Sequence, residues 1–388
     1  MKWFIIILLA VNLIGCAAAI QPVDVQEQVS VINTPVQDNS SPDRVEFELG
    51  YLAFEKKKYA RARDHLYRYL DTHTPDDTDY EWAQFFFGIS LIRTGFSHAA
   101  VDILSDLVTR KPNPKIVSYS LEFLEEVTRT LPFDREKVIF QVLSDQTYGF
   151  VDQHLSDFVN FHQGVFDWQH GFIDWGNIHF KSITPDTYYF NRYRYQLALY
   201  RVYKNEPQEA IKILEDILAM TVDDLGFKNE IQQTLARLYY EVGSFEAADR
   251  VYRETETPIL KQAHHLLERA WVDYRTGSPE TAMGYLYAFR APSFQNFFTP
   301  EYYILKSFIY KSVCHYEKAL AVIKEFDHHY GTALAAIHER TNIKDNPALL
   351  RVILNQKQIK TAWNFLMLLE KEHQETALIS DLQMQEYL

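Results

Sequence analysis

Residues Glu81–Pro114 read EWAQFFFGISLIRTGFSHAAVDILSDLVTRKPNP, and the architecture of the whole chain can be worked out from them. Apolar side chains recur at helical spacing through Trp82, Phe87 and Leu91, break at Thr94-Gly95, and resume through Leu104 and Leu107. The pattern predicts two amphipathic helices joined by a tight turn. Each carries one small residue, Gly88 in the first and Ala100 in the second, twelve positions apart. Small side chains let two backbones approach at a crossing, while Phe96 before the second helix fills the wedge between them. A large residue at Ala100 would force the helices apart, at a cost of about 1–3 kcal/mol.

The same spacing returns along the chain. Gly50/Ala62, Ala198/Ala210, Ala236/Ala248, Ala270/Ala282 and Ser307/Ala319 are each twelve residues apart, and Gly164/Gly176 is a fainter copy. First-helix anchors follow one another at 34 to 38 residues, with one gap of 76 that leaves room for a loosely fitting unit over Val117–Leu143. Breakers fall between the helices at Asn205-Glu206-Pro207, Gly243-Ser244 and Gly277-Ser278-Pro279. A 34-residue helix-turn-helix period with these residues resembles the tetratricopeptide repeat (TPR). The resemblance implies an all-α, TPR-like α-solenoid of about seven helix-turn-helix repeats with C-terminal capping helices.

On this reading residues 43–114 hold N-terminal repeats, 115–190 degenerate aromatic-rich ones, 191–340 C-terminal repeats, and 341–388 terminal helices. The last of these, Glu370–Leu388, is expected to cover the final apolar face. One family habit is broken. The position seven beyond the second-helix Ala, usually small, holds Tyr69, Leu107, Ile217, Thr255, Phe289 and Phe326.

Upstream of the repeats, Met1-Lys2 precedes an apolar run from Trp3 to Ile14, too short to span a bilayer, which needs about 20 residues. It reads as an export signal over residues 1–15. Leu13-Ile14-Gly15-Cys16 resembles the lipobox of bacterial lipoproteins, which implies that Cys16 carries acyl chains and heads the mature protein. Ala17-Ala18 after it, with no Asp, implies an outer-membrane anchor facing the periplasm. Residues 16–42 are a polar tether without period, with a reach of about 30 Å. With Cys16 acylated, Cys314 is the one remaining thiol, so no intrachain disulfide forms; it reads as a small buried helix residue.

Composition bounds the function. The 39 Lys and Arg against 52 Asp and Glu give a net charge of −13, which disfavours phosphate-backbone contacts and argues against nucleic acid as partner. Gly-rich phosphate loops, nucleophile elbows and paired Cys motifs are missing from the sequence, so neither catalytic residues nor a cofactor or metal are expected. His162, Asp167, His170, Asp174 and His179 crowd together but match no compact metal spacing. Glu370 and His373 form a lone Glu-x-x-His, and His264-His265 and His328-His329 read as surface and turn residues.

Aromatic density is the sharper signal. Residues 146–205 contain 16 Phe, Tyr and Trp in 60, or 27%, against 15% overall. Trp168, Trp175, Tyr188, Tyr189, Tyr193 and Tyr195 are expected to line a partner groove, with Arg192 and Arg194 recognising an acidic or C-terminal peptide. Stacked helix pairs present a long surface for peptides and proteins. The expectation is therefore a lipid-anchored envelope scaffold or adaptor in an assembly or motility-type complex. An envelope enzyme acting on cell wall or glycan through the aromatic region is the alternative, and self-association through the C-terminal helix a further one.

Overall fold

The computed structural model describes residues 44–130, 141–143, 148–220, 224–256, 262–289, 291, 294, 299–342, 346–354, 357–379 and 381–387. The expected signal, Cys16 and the tether lie outside them. The described residues form helices and no strand. Seven helix pairs account for most of them: α1 (Val45–Glu55) with α2 (Tyr59–Thr72), α3 (Tyr80–Arg93) with α4 (Ser97–Arg110), then, after α5 (Pro114–Thr130) and the short α6 (Gln141–Leu143), α7 (Gln153–Gln169) with α8 (Ile173–Lys181). The series continues with α9 (Tyr188–Tyr203) and α10 (Pro207–Ala219), α11 (Leu225–Glu241) and α12 (Phe245–Glu254), α13 (Gln262–Arg275) and α14 (Pro279–Ala288), and α15 (Pro300–Ser312) and α16 (Tyr316–His338). The terminal helices α17 (Pro347–Leu354), α18 (Lys357–Thr376) and α19 (Leu382–Tyr387) follow.

One turn repeats in all seven pairs. Seven residues after each first-helix anchor the backbone takes a positive φ, at Lys57, Gly95, Gly171, Asn205, Gly243, Gly277 and Cys314. The next residue's N–H reaches back to the carbonyl three after the anchor, as in Phe96 to Leu91, Phe172 to Asp167, Ser244 to Tyr239 and His315 to Tyr310, each at 2.8–2.9 Å. This is the left-handed cap in which two otherwise orphaned carbonyls of the helix end find donors. Four of the seven positions are glycine, the residue for which that conformation costs nothing.

The anchors do what their size suggests. Ala62, Ala100, Ala198, Ala210, Ala236, Ala248, Ala270 and Ala282 are wholly buried. A Cβ at Gly50 would lie 2.7 Å from Leu66, and one at Gly164 would lie 2.6 Å from the Phe180 ring, so both crossings need the missing carbon. The large residues at the family's usually small second-helix position are absorbed inside, with Tyr69, Leu107, Ile217 and Thr255 all buried. Over Val117–Leu143, 38 residues on from Gly88, the anchor's place falls on Glu126 rather than a small side chain. That is why α5 fits the period only loosely; residues 131–140, where its second helix would run, lie outside the described set.

The chain divides into two compact units, one ending at Arg192 and including Thr361–Leu388, the other Tyr193–Lys360, with divisions inside α9 and α18. In the first unit the C-terminal segment docks on α4: the Glu372 carboxylate accepts the N–H of His98 at 2.8 Å, and the His98 and Phe365 rings lie 5.5 Å apart. The α4 N-terminus has no side-chain cap of its own at Phe96, so Glu372 supplies one from across the fold. Burial pushes the Glu372 carboxyl above its ordinary range, against the opposing pull of the His98, Ala99 and Ser97 amides. Further along the tail Ile379 and Met384 are buried, whereas Leu378 is exposed.

Cys314 also departs from expectation. It is exposed, at φ 60° in the turn between α15 and α16, because it occupies the left-handed cap position rather than a helix face.

Candidate peptide-binding wall

In the C-terminal unit the first helices stand side by side, held by contacts from one pair to the next. The Tyr195 hydroxyl and Thr234 Oγ1 are 2.9 Å apart, joining α9 to α11. Arg237 on α11 pairs with Glu268 on α13, with Nε at 2.8 Å and Nη2 at 2.6 Å from Oε1. The Trp271 ring on α13 meets Phe308 on α15 at 6.2 Å, nearly edge to face. Three of these residues follow an anchor: Arg237, Trp271 and Phe308 come directly after Ala236, Ala270 and Ser307. A position next to the anchor points off the second helix, so α11, α13 and α15 each contribute one such side chain to a common wall.

Neighbours at helical spacing complete it. On α13, His264, Glu268 and Trp271 fall at i, i+4 and i+7; on α15, Glu301, Ile304 and Phe308 fall at i, i+3 and i+7. Ile304 and Phe308 are 50% and 45% exposed, an apolar surface beside a charged one. Arg237 and Glu268 keep only 27% and 22% of their side-chain surface in contact with solvent.

Charge in this wall is poised. Burial works against the Arg237 cation, but Glu268 outweighs it and holds the guanidinium above its ordinary range. His264 is exposed at the surface, as expected; neighbouring protein lowers its pKa despite the pull of Glu268, and Arg237 lowers it further. Burial raises the Glu301 carboxyl, Glu268 adds to that, and Trp271 and Arg237 act in the other direction. Behind the wall, Tyr252 is fully buried and lies against Glu268; burial first, then that carboxylate, raises its hydroxyl well above the usual phenol. With Arg237 matched to Glu268 and His264 held toward neutral, Glu301 is the charge in this cluster without a countercharge in direct ion pairing among the described contacts.

The residues expected to bind a partner are scattered. Tyr189 is buried and donates to Glu125 Oε1 at 2.6 Å, and Tyr195 is wholly buried, so both hold helices together and offer no ring to a ligand. Trp168 fills the wedge at the α7–α8 crossing, edge to face on Phe180 at 4.8 Å. Tyr188 stands edge to face with Tyr189 at 5.1 Å. Arg194 bonds Asp216 at 3.2 Å on its own second helix. Arg192 and Tyr193 are half-buried, and burial raises the Tyr193 hydroxyl. Trp175 is the exposed one, at 65%. Most of the rings expected to line a groove are thus spent within the helix packing, and they are divided between the two units at Arg192.

The histidines separate likewise. His179 bonds Asn160 at 3.2 Å and lies 3.7 Å from Asp167, whereas His170 turns back to the Phe166 carbonyl at 2.8 Å. His265, expected at the surface, is buried on α13 against the Tyr252 ring at 5.5 Å. His328 and His329 lie on α16 rather than in a turn.

A scan against protein-family models returned no match, and a search of curated proteins found none either. Among solved structures the chain is similar to a tetratricopeptide repeat protein from Parabacteroides merdae, at 13% identity over 74% of this chain and 92% of that one, with a TM-score of 0.30. It is also similar to the P58(IPK) TPR domain, at 16% identity over 89% and 96% with a TM-score of 0.22. A third likeness, to a human IFIT1 dimer with PPP-AAAA, has 12% identity over 87% and 83% and a TM-score of 0.32. The seven equivalent turns carry the assignment of helix pairs.

Proposed function

We propose that the protein is a binding scaffold whose C-terminal wall takes a peptide or protein segment bearing a basic side chain beside an apolar one. The observation that carries this reading is the juxtaposition of Glu301 with exposed Ile304 and Phe308 on one face of α15. A partner ammonium or guanidinium brought against Glu301 offsets its desolvation, while an aliphatic or aromatic side chain covers Phe308. This reverses the sequence-based preference for an acidic peptide, because Arg194 and Arg237 are already engaged by Asp216 and Glu268.

On the same reading the scaffold works in a bacterial envelope. The lipobox-like Leu13-Ile14-Gly15-Cys16 supports acylation of Cys16, and two or three acyl chains, at about 0.8 kcal/mol per buried methylene, suffice for a lasting anchor. The outer membrane with the repeats in the periplasm, and membership of an assembly or motility-type complex with other envelope proteins, follow from that reading of the leader. No helix among the described residues is long and apolar enough to cross a membrane.

A peptide array probed with the full chain tests the binding mode. Enrichment of sequences pairing Lys or Arg with Leu or Phe, and loss of that signal in Glu301→Gln and in Phe308→Ala, are expected. A preference for acidic peptides overturns it. Metabolic palmitate labelling that disappears in Cys16→Ser tests the anchor.

A further inference from the structure

Helix pairs stack on one another in a fixed register, and that register is left unfilled at both ends of the series. On a first helix, the residues five before, one before and two after the anchor face the preceding pair. Ala83, Phe87 and Ser90 in α3 and Ile231, Leu235 and Leu238 in α11 are each at most 3% exposed, and no later pair exposes any of the three positions. Their counterparts in α1 are Val45 at 49%, Leu49 at 41% and Leu52 at 45%. On a second helix the matching positions lie three before, one after and four after the anchor. In α16 they hold Tyr316, Leu320 and Ile323, exposed at 60%, 63% and 59%, whereas the other six pairs expose none of the three.

Contacts inside the series show which end residues belong together. Tyr252, four after its anchor on α12, lies 5.5 Å from the His265 ring, five before the anchor of α13. It shares a core cluster with Val272, two after that anchor. Tyr67, five after its anchor on α2, stands 6.2 Å from Phe87, one before the anchor of α3. Carried to the open ends, the same register sets Ile323 against Val45 and Leu52, and Lys324 against Leu49, which has Glu48 next to it in α1. One chain therefore bears both halves of its own repeat interface, an uncovered second helix and an uncovered first helix. Repeat arrays that end free carry polar outer faces on their terminal repeats. Here both outer faces are apolar.

We propose that copies of this chain stack head to tail, α16 of one on α1 of the next, so that the repeat interface continues from chain to chain. Ile323 takes the part that Tyr252 plays inside the series, and the flank of the contact sets the Lys324 cation beside the Glu48 carboxylate. The two partners use different patches, so the contact is heterologous and propagates into a ring or a filament instead of stopping at a pair.

Disulfide cross-linking between two differently marked chains tests this. Cys16→Ser with Cys314→Ser makes the full chain free of cysteine; one preparation then carries Val45→Cys and the other Ile323→Cys. Mixed in mild detergent at about 100 μM, above the micromolar limit of standard-size interfaces, the two cross-link to each other, and neither does so alone. Adding Leu320→Glu to the Ile323→Cys chain lowers the yield about tenfold with unchanged helical circular dichroism, since a charge is then set into the apolar contact. Cross-linking of the Ile323→Cys chain with itself as readily as in the mixture indicates an α16 pair and overturns the proposal, and the same result for the Val45→Cys chain indicates an α1 pair and does so too. A mixture that stays unlinked also overturns it. Labelling of the Val45→Cys chain by a water-soluble maleimide, with and without vesicles of anionic lipid, then shows whether lipid or residues 17–43 of the same chain cover α1 instead.

Discussion

The α7–α8 pair and the Ala-anchored pairs of the C-terminal unit bring their backbones together by different means. In α9–α10, α11–α12 and α13–α14 both anchors are Ala, fully buried, with Leu214, Tyr252 or Leu286 lying over the crossing. In α7–α8 both anchors are Gly, and the space of two methyl groups is given to larger rings. Phe180 stands 2.6 Å from where a Cβ on Gly164 would be, and a Cβ on Gly176 would collide with Trp168 and lie 2.8 Å from the Gly164 carbonyl oxygen. At this crossing glycine at both anchors makes room for the Phe180 and Trp168 rings, whereas in α11–α12 the Tyr252 ring packs over two alanines.

Breaking the glycine crossing has the largest effect. Gly176→Val meets backbone as well as the Trp168 ring, and is expected to cost about 3 kcal/mol, seen as a fall in melting temperature of about 6–12 °C. Ala248→Leu, at the matching place in α12, displaces a crossing that also has no free space, and is expected to cost about 2 kcal/mol. A double variant separates the two kinds of crossing further. Gly164→Ala alone is expected to cost about 2 kcal/mol, and Gly164→Ala with Phe180→Leu to regain about half, since Leu over an alanine anchor is the arrangement of α9–α10 and α13–α14.

Capping gives a smaller difference between the two regions. Asp152 accepts the Leu155 N–H at 3.0 Å to start α7, and Asp224 accepts the Phe227 N–H at 3.0 Å to start α11. Either Asp→Ala change is expected to cost about 1 kcal/mol in chemical denaturation, equally in both units.

The smallest effect concerns charge in the C-terminal wall. Glu301 has a raised pKa because of burial and Glu268, so its ionised form is the one the fold disfavours. The penalty is present above that raised pKa and fades as pH falls through it toward the unfolded value. Glu301→Gln is therefore slightly more stable than wild type at neutral pH, and the two converge in acid. Melting curves across pH check this; a difference that grows in acid would contradict it.

The helix pairs are legible in the sequence because the information is local. Two small residues twelve apart, repeated at 34 to 38, place the anchors of all seven pairs, including Gly164/Gly176, whose flanking sequence fits the period weakly. The same register holds the wall, since Arg237, Trp271 and Phe308 all follow an anchor, but aromatic density points to Tyr189 and Tyr195 instead. Tyrosine is equally at home donating to a buried carboxylate, as Tyr189 does to Glu125, and counting rings does not separate that use from a groove. Docking of the tail on α4 has no local signal at all, because His98 and Glu372 are 274 residues apart and the contact is a backbone amide met by an ordinary glutamate. Cys314 misleads for a simpler reason. Its identity suggests burial, while its place seven after Ser307 puts it in the turn.

That turn is where the repeat register is most easily challenged, since seven equivalent helix pairs must each end their first helix in a left-handed cap. Lys57, Asn205 and Cys314 hold the cap position with φ of 56°, 62° and 60° although none is glycine. The measurement is the unfolding free energy of Lys57→Gly, Asn205→Gly and Cys314→Gly, singly and combined. Lys57→Gly and Cys314→Gly are each predicted to stabilise by about 1 kcal/mol, because glycine relieves the left-handed strain, with a smaller gain at Asn205. If the helices ran on through these positions, glycine would instead cost about 0.5–1 kcal/mol at each, and a loss of stability in all three would contradict the repeat register.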